Sequence, residues 1–212
     1  MRAELHKRGG CGGGTVRFLK NVAGLWLLQE CRRRWQEEGK TYSWPELVAQ
    51  AEQATPLRSV VDPDAPEFVD PGDMPSAIRE YCRRSGQPEP EGDGEVVRCC
   101  LESLALKHRW VLAALEELTE RRLETVRIVG GGSQNHLFCQ LTADACGLRV
   151  EATALGNVVV QAVASGCLPD TAAGRRAIAA SVEQKVFEPG VSADWDPAIE
   201  VFNELVEASG VL

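Results

Sequence analysis

Long apolar runs are missing from this 212-residue chain: stretches such as Leu25-Trp26-Leu27-Leu28 and Val158-Val159-Val160 are brief. A membrane-spanning helix needs roughly 20 such residues, so none is expected. The N-terminus, MRAELHKRGGCGGG, has no apolar centre after its charges. It does not read as a secretory signal, and a cytoplasmic location is expected. Metal-ligand spacing is also missing. None of the 8 cysteines stands in a C-x-x-C pair, and the 3 histidines lie far apart, which argues against a zinc site. In a reducing compartment the thiols read as small buried hydrophobes, with Cys82 able to bridge Cys99 or Cys100 if oxidised. There is no excess of positive charge: the net charge is -8, and the arginine clusters at 32–34, 83–84, 121–122 and 175–176 flank predicted helix ends among dispersed acids. That pattern describes solvated helix surface rather than a nucleic-acid face.

What is present suits a globular domain. Hydrophobic residues make up 44% and charged residues 25%, and the length favours one core with insertions. Phe18, Val22, Leu25, Trp26 and Leu28 recur at helical spacing and predict a helix over 18–35, with Asn21 in its first turns and Gln29 in its middle. Ser43-Trp44-Pro45-Glu46 is a capping sequence for a short helix over 45–54. The proline-rich stretch 62–75 predicts an extended surface insertion, followed by a helix over 76–84 and a second loop over 86–94. Apolar positions from Val97 to Leu118 alternate by three and four, predicting a long helix over 95–122 with His108 on its apolar face as a core histidine. A strand over 125–129, a helix over 133–146 stopped by Gly147, and a strand over 148–150 come next. Helices are expected over 154–165, 171–184 and 197–208.

The chemistry-bearing stretch is TVRIVGGGSQN, a strand meeting Gly130-Gly131-Gly132 before a helix. Glycines there let a ligand approach the backbone, and amides at a helix start favour negative charge. The P-loop reading fails, because Gly9 and Gly14 have the spacing but Thr15-Val16 stands where lysine and a hydroxyl belong. A dinucleotide fingerprint fits Gly130-Gly131-Gly132 and Glu151, yet Asn135 occupies its third glycine position and only one βαβ unit can be built. A tight turn without a ligand stays open on local evidence.

Four segments extend the argument: GGTVRFLKNVAGLWLLQE over 13–30, LESLAL over 101–106, GGGSQN with LTADACG over 130–147, and EATALGN over 151–157. Together, and in this order, they resemble the C-terminal half of rhamnulokinases, a branch of the FGGY family of carbohydrate kinases. The resemblance implies an α/β fold: an actin-like, ribonuclease-H-like ATPase lobe, here incomplete, helix-rich and with a reduced sheet. It implies residues 1–14 as the remnant of an upstream strand and loop region, and 15–212 as the C-terminal nucleotide-binding lobe with an insertion at about 41–94. By position, Asn21 matches the family's contact to the ketose, Gln29 a nucleotide contact, and Gly131 the glycine against adenosine. Gly130, Gly132, Gln134 and Asn135 complete that turn by association. If one helix carries both amides, their separation by eight residues sets Asn21 and Gln29 on nearly the same face.

The substrates so implied are ATP with Mg2+, without protein metal ligands, and a ketose such as L-rhamnulose. The sugar requires a complementary N-terminal lobe, and neither nucleic acid nor membrane is an expected partner. The family's catalytic aspartate lies upstream of anything resembling Gly9, so no base is nominated and the chain alone is expected not to turn over. The alternative is a non-catalytic fragment that binds adenine nucleotide or pairs with a separate N-terminal lobe. Two departures from the family stand out. A few residues including an Ala-Gly-Pro element are missing between Val150 and Glu151, and the strands at 125 and 148 are expected to expose unpaired edges.

Overall fold

The computed structural model describes residues 6–11, 15–153, 185–190 and 193–210. They form two compact units, one from 1–122 and 191–212, the other from 123–190. The predicted helices over 154–165 and 171–184 lie outside the described residues.

In the first unit, β1 (His6–Cys11) pairs antiparallel with β2 (Thr15–Leu19). The helix predicted from residue 18 therefore starts later, as α1 (Trp26–Glu37). Two causes are visible: the β-rich TVRFL run is taken up by strand pairing, and Gly24 adopts φ +61, a left-handed conformation that ends any helical path through it. α1 buries Leu27, Leu28, Cys31 and Trp35. α2 (Trp44–Gln53) begins with the predicted capping box: the Ser43 side chain accepts from the Glu46 amide, and Glu46 Oε2 accepts from the Ser43 amide at 2.7 Å. α3 (Met74–Arg84) is capped by Asp73, and α4 (Asp93–Thr119) ends where Glu120 turns left-handed at φ 53.

α4 is the spine of the unit and packs on α1, α2, α3 and the C-terminal helix α6 (Asp196–Ala208). Its contact with α2 is close enough that a Cβ on Gly94 would sit 2.8 Å from the Gln50 carbonyl oxygen. The proline-rich stretch is extended in part, with a 3-10 turn at Pro66–Phe68, and it is only partly at the surface: Pro66, Val69, Asp70 and Gly72 are exposed. Val60, Val61, Asp62, Ala65 and Phe68 are buried. Burial of the two residues that lead into it is tolerated because other elements satisfy their backbone: Ser103 Oγ accepts from the Val61 amide at 2.9 Å, and Gln87 brackets Val60 with bonds of 2.9 and 2.8 Å. Each apolar side chain buried this way contributes about 1.5–3 kcal/mol.

In the second unit, β3 (Thr125–Val129) runs parallel to β4 (Arg149–Thr153), and α5 (His136–Cys146) connects them. Gly147 ends α5 in the left-handed region at φ 63, as a C-terminal glycine should. β4 is longer than the strand expected at 148–150, and it runs unbroken through Val150 and Glu151, where the family's extra residues are missing. Its second edge is not open: the unpredicted β5 (Lys185–Phe187) pairs with it antiparallel, giving the order β3-β4-β5. Cys139, Ala143, Val150 and Ala152 form the core, against Val126, Ile128 and Phe187.

Candidate functional site

Two segments carry the residues singled out in the sequence, one in each unit. In the first unit, residues 20–25 link β2 to α1. Asn21 is exposed in this link, outside α1, so the shared helix face expected for Asn21 and Gln29 does not exist. Gln29 is on α1 and exposed, opposite the buried Leu27, Leu28, Cys31 and Trp35. Asp64 Oδ1 accepts from the Ala23 amide at 2.8 Å, and Trp26 Nε1 donates to the Phe68 carbonyl at 3.1 Å. A cavity of about 350 Å³ opens beside the link, walled by Trp26, Phe68 and Val69 with Asp64 at its edge.

Behind Asp64 is a buried ionic network. Lys107 Nζ lies 2.7 Å from Asp62 Oδ1 and 3.2 Å from Asp64 Oδ2, with Lys107 and Asp62 fully buried. Ser209 Oγ donates to Asp62 Oδ2 at 2.9 Å. Such charges survive burial only when paired and hydrogen-bonded. Sequence reasoning passed over this group, although Lys107 falls next to His108 on the apolar side of α4, an unusual place for an ammonium.

In the second unit, the glycine turn joins β3 to α5. Gly130 has φ +86, and its amide donates to the Thr153 carbonyl at 3.1 Å, tying the turn to the end of β4. Residues Gly131–Gln134 form a 3-10 turn in place of the first helical turn expected from residue 133. Ser133 is buried and its Oγ donates to the Gly130 carbonyl at 2.7 Å. Asn135 caps α5, its Oδ1 accepting from the Phe138 amide at 3.0 Å, so its side chain has a structural task. Gly131 and Gln134 are exposed, and a Cβ on Gly131 would meet nothing within 4 Å. Glu151, expected near the end of its strand, lies within β4 and accepts from Arg127 Nε at 2.8 Å.

The remaining titratable groups fall into structural roles. Burial pushes His108 down to about 4, keeping it neutral at pH 7. Cys31, Cys82, Cys99 and Cys100 are buried free thiols close to one another, with Cys82 beside Cys99 and Cys31 beside Cys100. Burial holds Cys139 up at about 11. Arg33, Arg34, Arg83, Arg84 and Arg122 pair with nearby carboxylates. Among the described residues no group of three or more His, Cys, Asp or Glu could hold a metal, and no helix is long and apolar enough to cross a membrane.

A helix-rich unit and a small mixed sheet with a glycine turn at the end of β3 constitute a reduced lobe of the actin-like ATPase fold. A solved xylulose kinase from Rhodospirillum rubrum superposes with a TM-score of 0.53 at 20% identity, over 88% of this chain and 36% of that one. That likeness is one of fold. The C-terminal domain of the FGGY family of carbohydrate kinases matches residues 2–165, and the chain belongs to this family. Rhamnulokinase from Bacteroides thetaiotaomicron is 47% identical over 91% of this chain and 40% of its own length. Rhamnulokinase from Enterococcus faecalis is 40% identical over 82% and 36%. The chain thus spans about 40% of the length of the first of these relatives.

Proposed function

We propose that residues 1–212 contribute the C-terminal, nucleotide-facing lobe of an ATP-dependent sugar kinase of rhamnulokinase type. The reaction is transfer of the γ-phosphoryl group of ATP to the terminal hydroxyl of L-rhamnulose or a related ketose. The observation that carries this reading is the 47% identity to a rhamnulokinase sustained over 91% of the chain.

Asn21 is assigned to the sugar, its amide able to donate to one hydroxyl and accept from another. Gln29 and the turn from Gly130 to Asn135 are assigned to the nucleotide. Within that turn Gly131 lies against adenosine, where an exposed backbone without a Cβ admits a flat ligand. Gln134 borders it, and Asn135 acts by capping the helix that follows. Mg2+ arrives with the ATP phosphates, the usual arrangement for an ion that keeps most of its ligands from water and substrate. The proton acceptor for the sugar hydroxyl is supplied from outside residues 1–212. Phosphoryl transfer depends on positioning and charge stabilisation, so one lobe without the base is expected to bind and not to turn over.

A coupled ADP-release assay with L-rhamnulose tests this. Residues 1–212 alone should give no sugar-dependent ADP, and an N-terminal lobe of a rhamnulokinase added in trans should restore it. Sugar-dependent turnover by residues 1–212 alone would overturn the division of labour. ADP binding by calorimetry without rescue in trans would favour a non-catalytic nucleotide-binding role.

A further inference from the structure

We propose that Asp64 is a positioning residue for the Asn21 segment, held in place by the buried Lys107–Asp62 pair. The inference rests on the reading of Asn21 as the sugar contact. Asn21 sits in an irregular link, where no helix or strand ladder sets its backbone. The link is instead fastened from outside, on both sides of Asn21. Upstream, the Lys20 ammonium lies 5.9 Å from the centre of the Trp110 ring. Downstream, the Ala23 amide donates to Asp64 Oδ1 at 2.8 Å. The second tether is the directional one, because an ionised acceptor makes a stronger and shorter bond than a carbonyl.

Asp64 can serve only if its own orientation is set. Its Oδ2 is paired with Lys107 Nζ at 3.2 Å by charge alone, without hydrogen-bond geometry, and its amide donates to Asp62 Oδ1 at 3.1 Å. Lys107 in turn is fully buried, 2.7 Å from Asp62 Oδ1 and 5.0 Å from the centre of the same Trp110 ring that receives Lys20. The two carboxylate oxygens of Asp64 therefore have different tasks, one on the link and one on the spine. The chain from α4 through Asp64 to Ala23 transmits the position of the packed core to a segment two residues from the sugar-facing amide.

The test is NMR on the isotope-labelled 212-residue chain in complex with an unlabelled rhamnulokinase N-terminal lobe. In the unsubstituted protein the Ala23 amide should be protected from hydrogen exchange, and the Asn21 side-chain amide should shift on titration with L-rhamnulose. Asp64→Ala should speed exchange at Ala23 by about tenfold or more, as expected for loss of one charge-assisted bond, while Leu104 in α4 keeps its protection. The apparent affinity for L-rhamnulose read at Asn21 should fall by a similar factor. If Asp64→Ala does not fold, Asp64→Leu is used, which is similar in size, offers Ala23 no acceptor and leaves Lys107 paired with Asp62. Unprotected Ala23 in the unsubstituted chain, or unchanged exchange in the variants, overturns the tether. Faster exchange with an unaltered L-rhamnulose response overturns positioning. A protected Ala23 with no response of Asn21 to L-rhamnulose sinks the sugar assignment itself and leaves Asp64 as a local anchor only.

Discussion

Single glycines in this chain answer to different constraints, and substitutions should separate them. Gly131 has open space where a Cβ would go and no left-handed φ. Gly131→Val should leave thermal stability nearly unchanged and abolish ADP binding by calorimetry, because its side chain intrudes only on a ligand. Gly94 is the reverse case. A methyl group there meets the Gln50 carbonyl at 2.8 Å and must push α2 away from α4. Gly94→Ala should cost about 1–3 kcal/mol in chemical unfolding without any specific loss of ligand affinity. Neither behaviour is legible from the residue alone. GGG announces itself as a turn, whereas Gly94 lies inconspicuously near a predicted helix start and acquires its role only when α2 is laid against it.

At the scale of elements, α4 joins an apolar spine to several ionisable groups, among them the buried Glu102 and Lys107 and the half-buried His108. Lys107 is matched by carboxylates, whereas burial depresses His108 from an ordinary 6.5 to about 4. The sign follows from proton counting: between those two values the unfolded chain holds a proton on this imidazole that the folded chain lacks. Stability from this group is complete above about pH 6.5 and declines as pH falls toward 4, by about 3 kcal/mol at full effect. His108→Gln should flatten that decline in urea midpoints measured between pH 7 and 4. An identical slope in the variant would assign acid sensitivity to other groups. The helical spacing that placed His108 on an apolar face was readable in advance, and so was α4 itself. The start of α1 was not. Periodicity favoured a helix from residue 18, but pairing of TVRFL with β1 and the left-handed Gly24 overrode it.

For the whole molecule, the family assignment predicts a division of ligand contacts that kinetics can read. In a complex reconstituted with a rhamnulokinase N-terminal lobe, Gln29→Ala should raise KM for ATP about tenfold and leave KM for L-rhamnulose unchanged, the magnitude of one lost ligand hydrogen bond. Asn21→Ala should do the opposite. Equal effects on both substrates would mean that the two amides act through the fold rather than on separate ligands.

Sequence alone determined the Ser43–Glu46 capping box, the Gly147 helix stop, the long helix α4, strand β3, the glycine turn and, through four ordered segments, the kinase family. These are local or collinear properties: capping needs a serine and a glutamate three apart, amphipathicity needs a repeat, and kinship needs order along the chain. Only the tertiary structure decided that the proline-rich stretch is partly buried, that β5 covers the edge of β4, and that Asp64 reaches the Ala23 amide. Each of those depends on partners dozens of residues away. Backbone groups that look solvent-bound in sequence, such as those of Val60 and Val61, find Gln87 and Ser103 instead. That long-range satisfaction of polar groups is what turns an apparent loop into core.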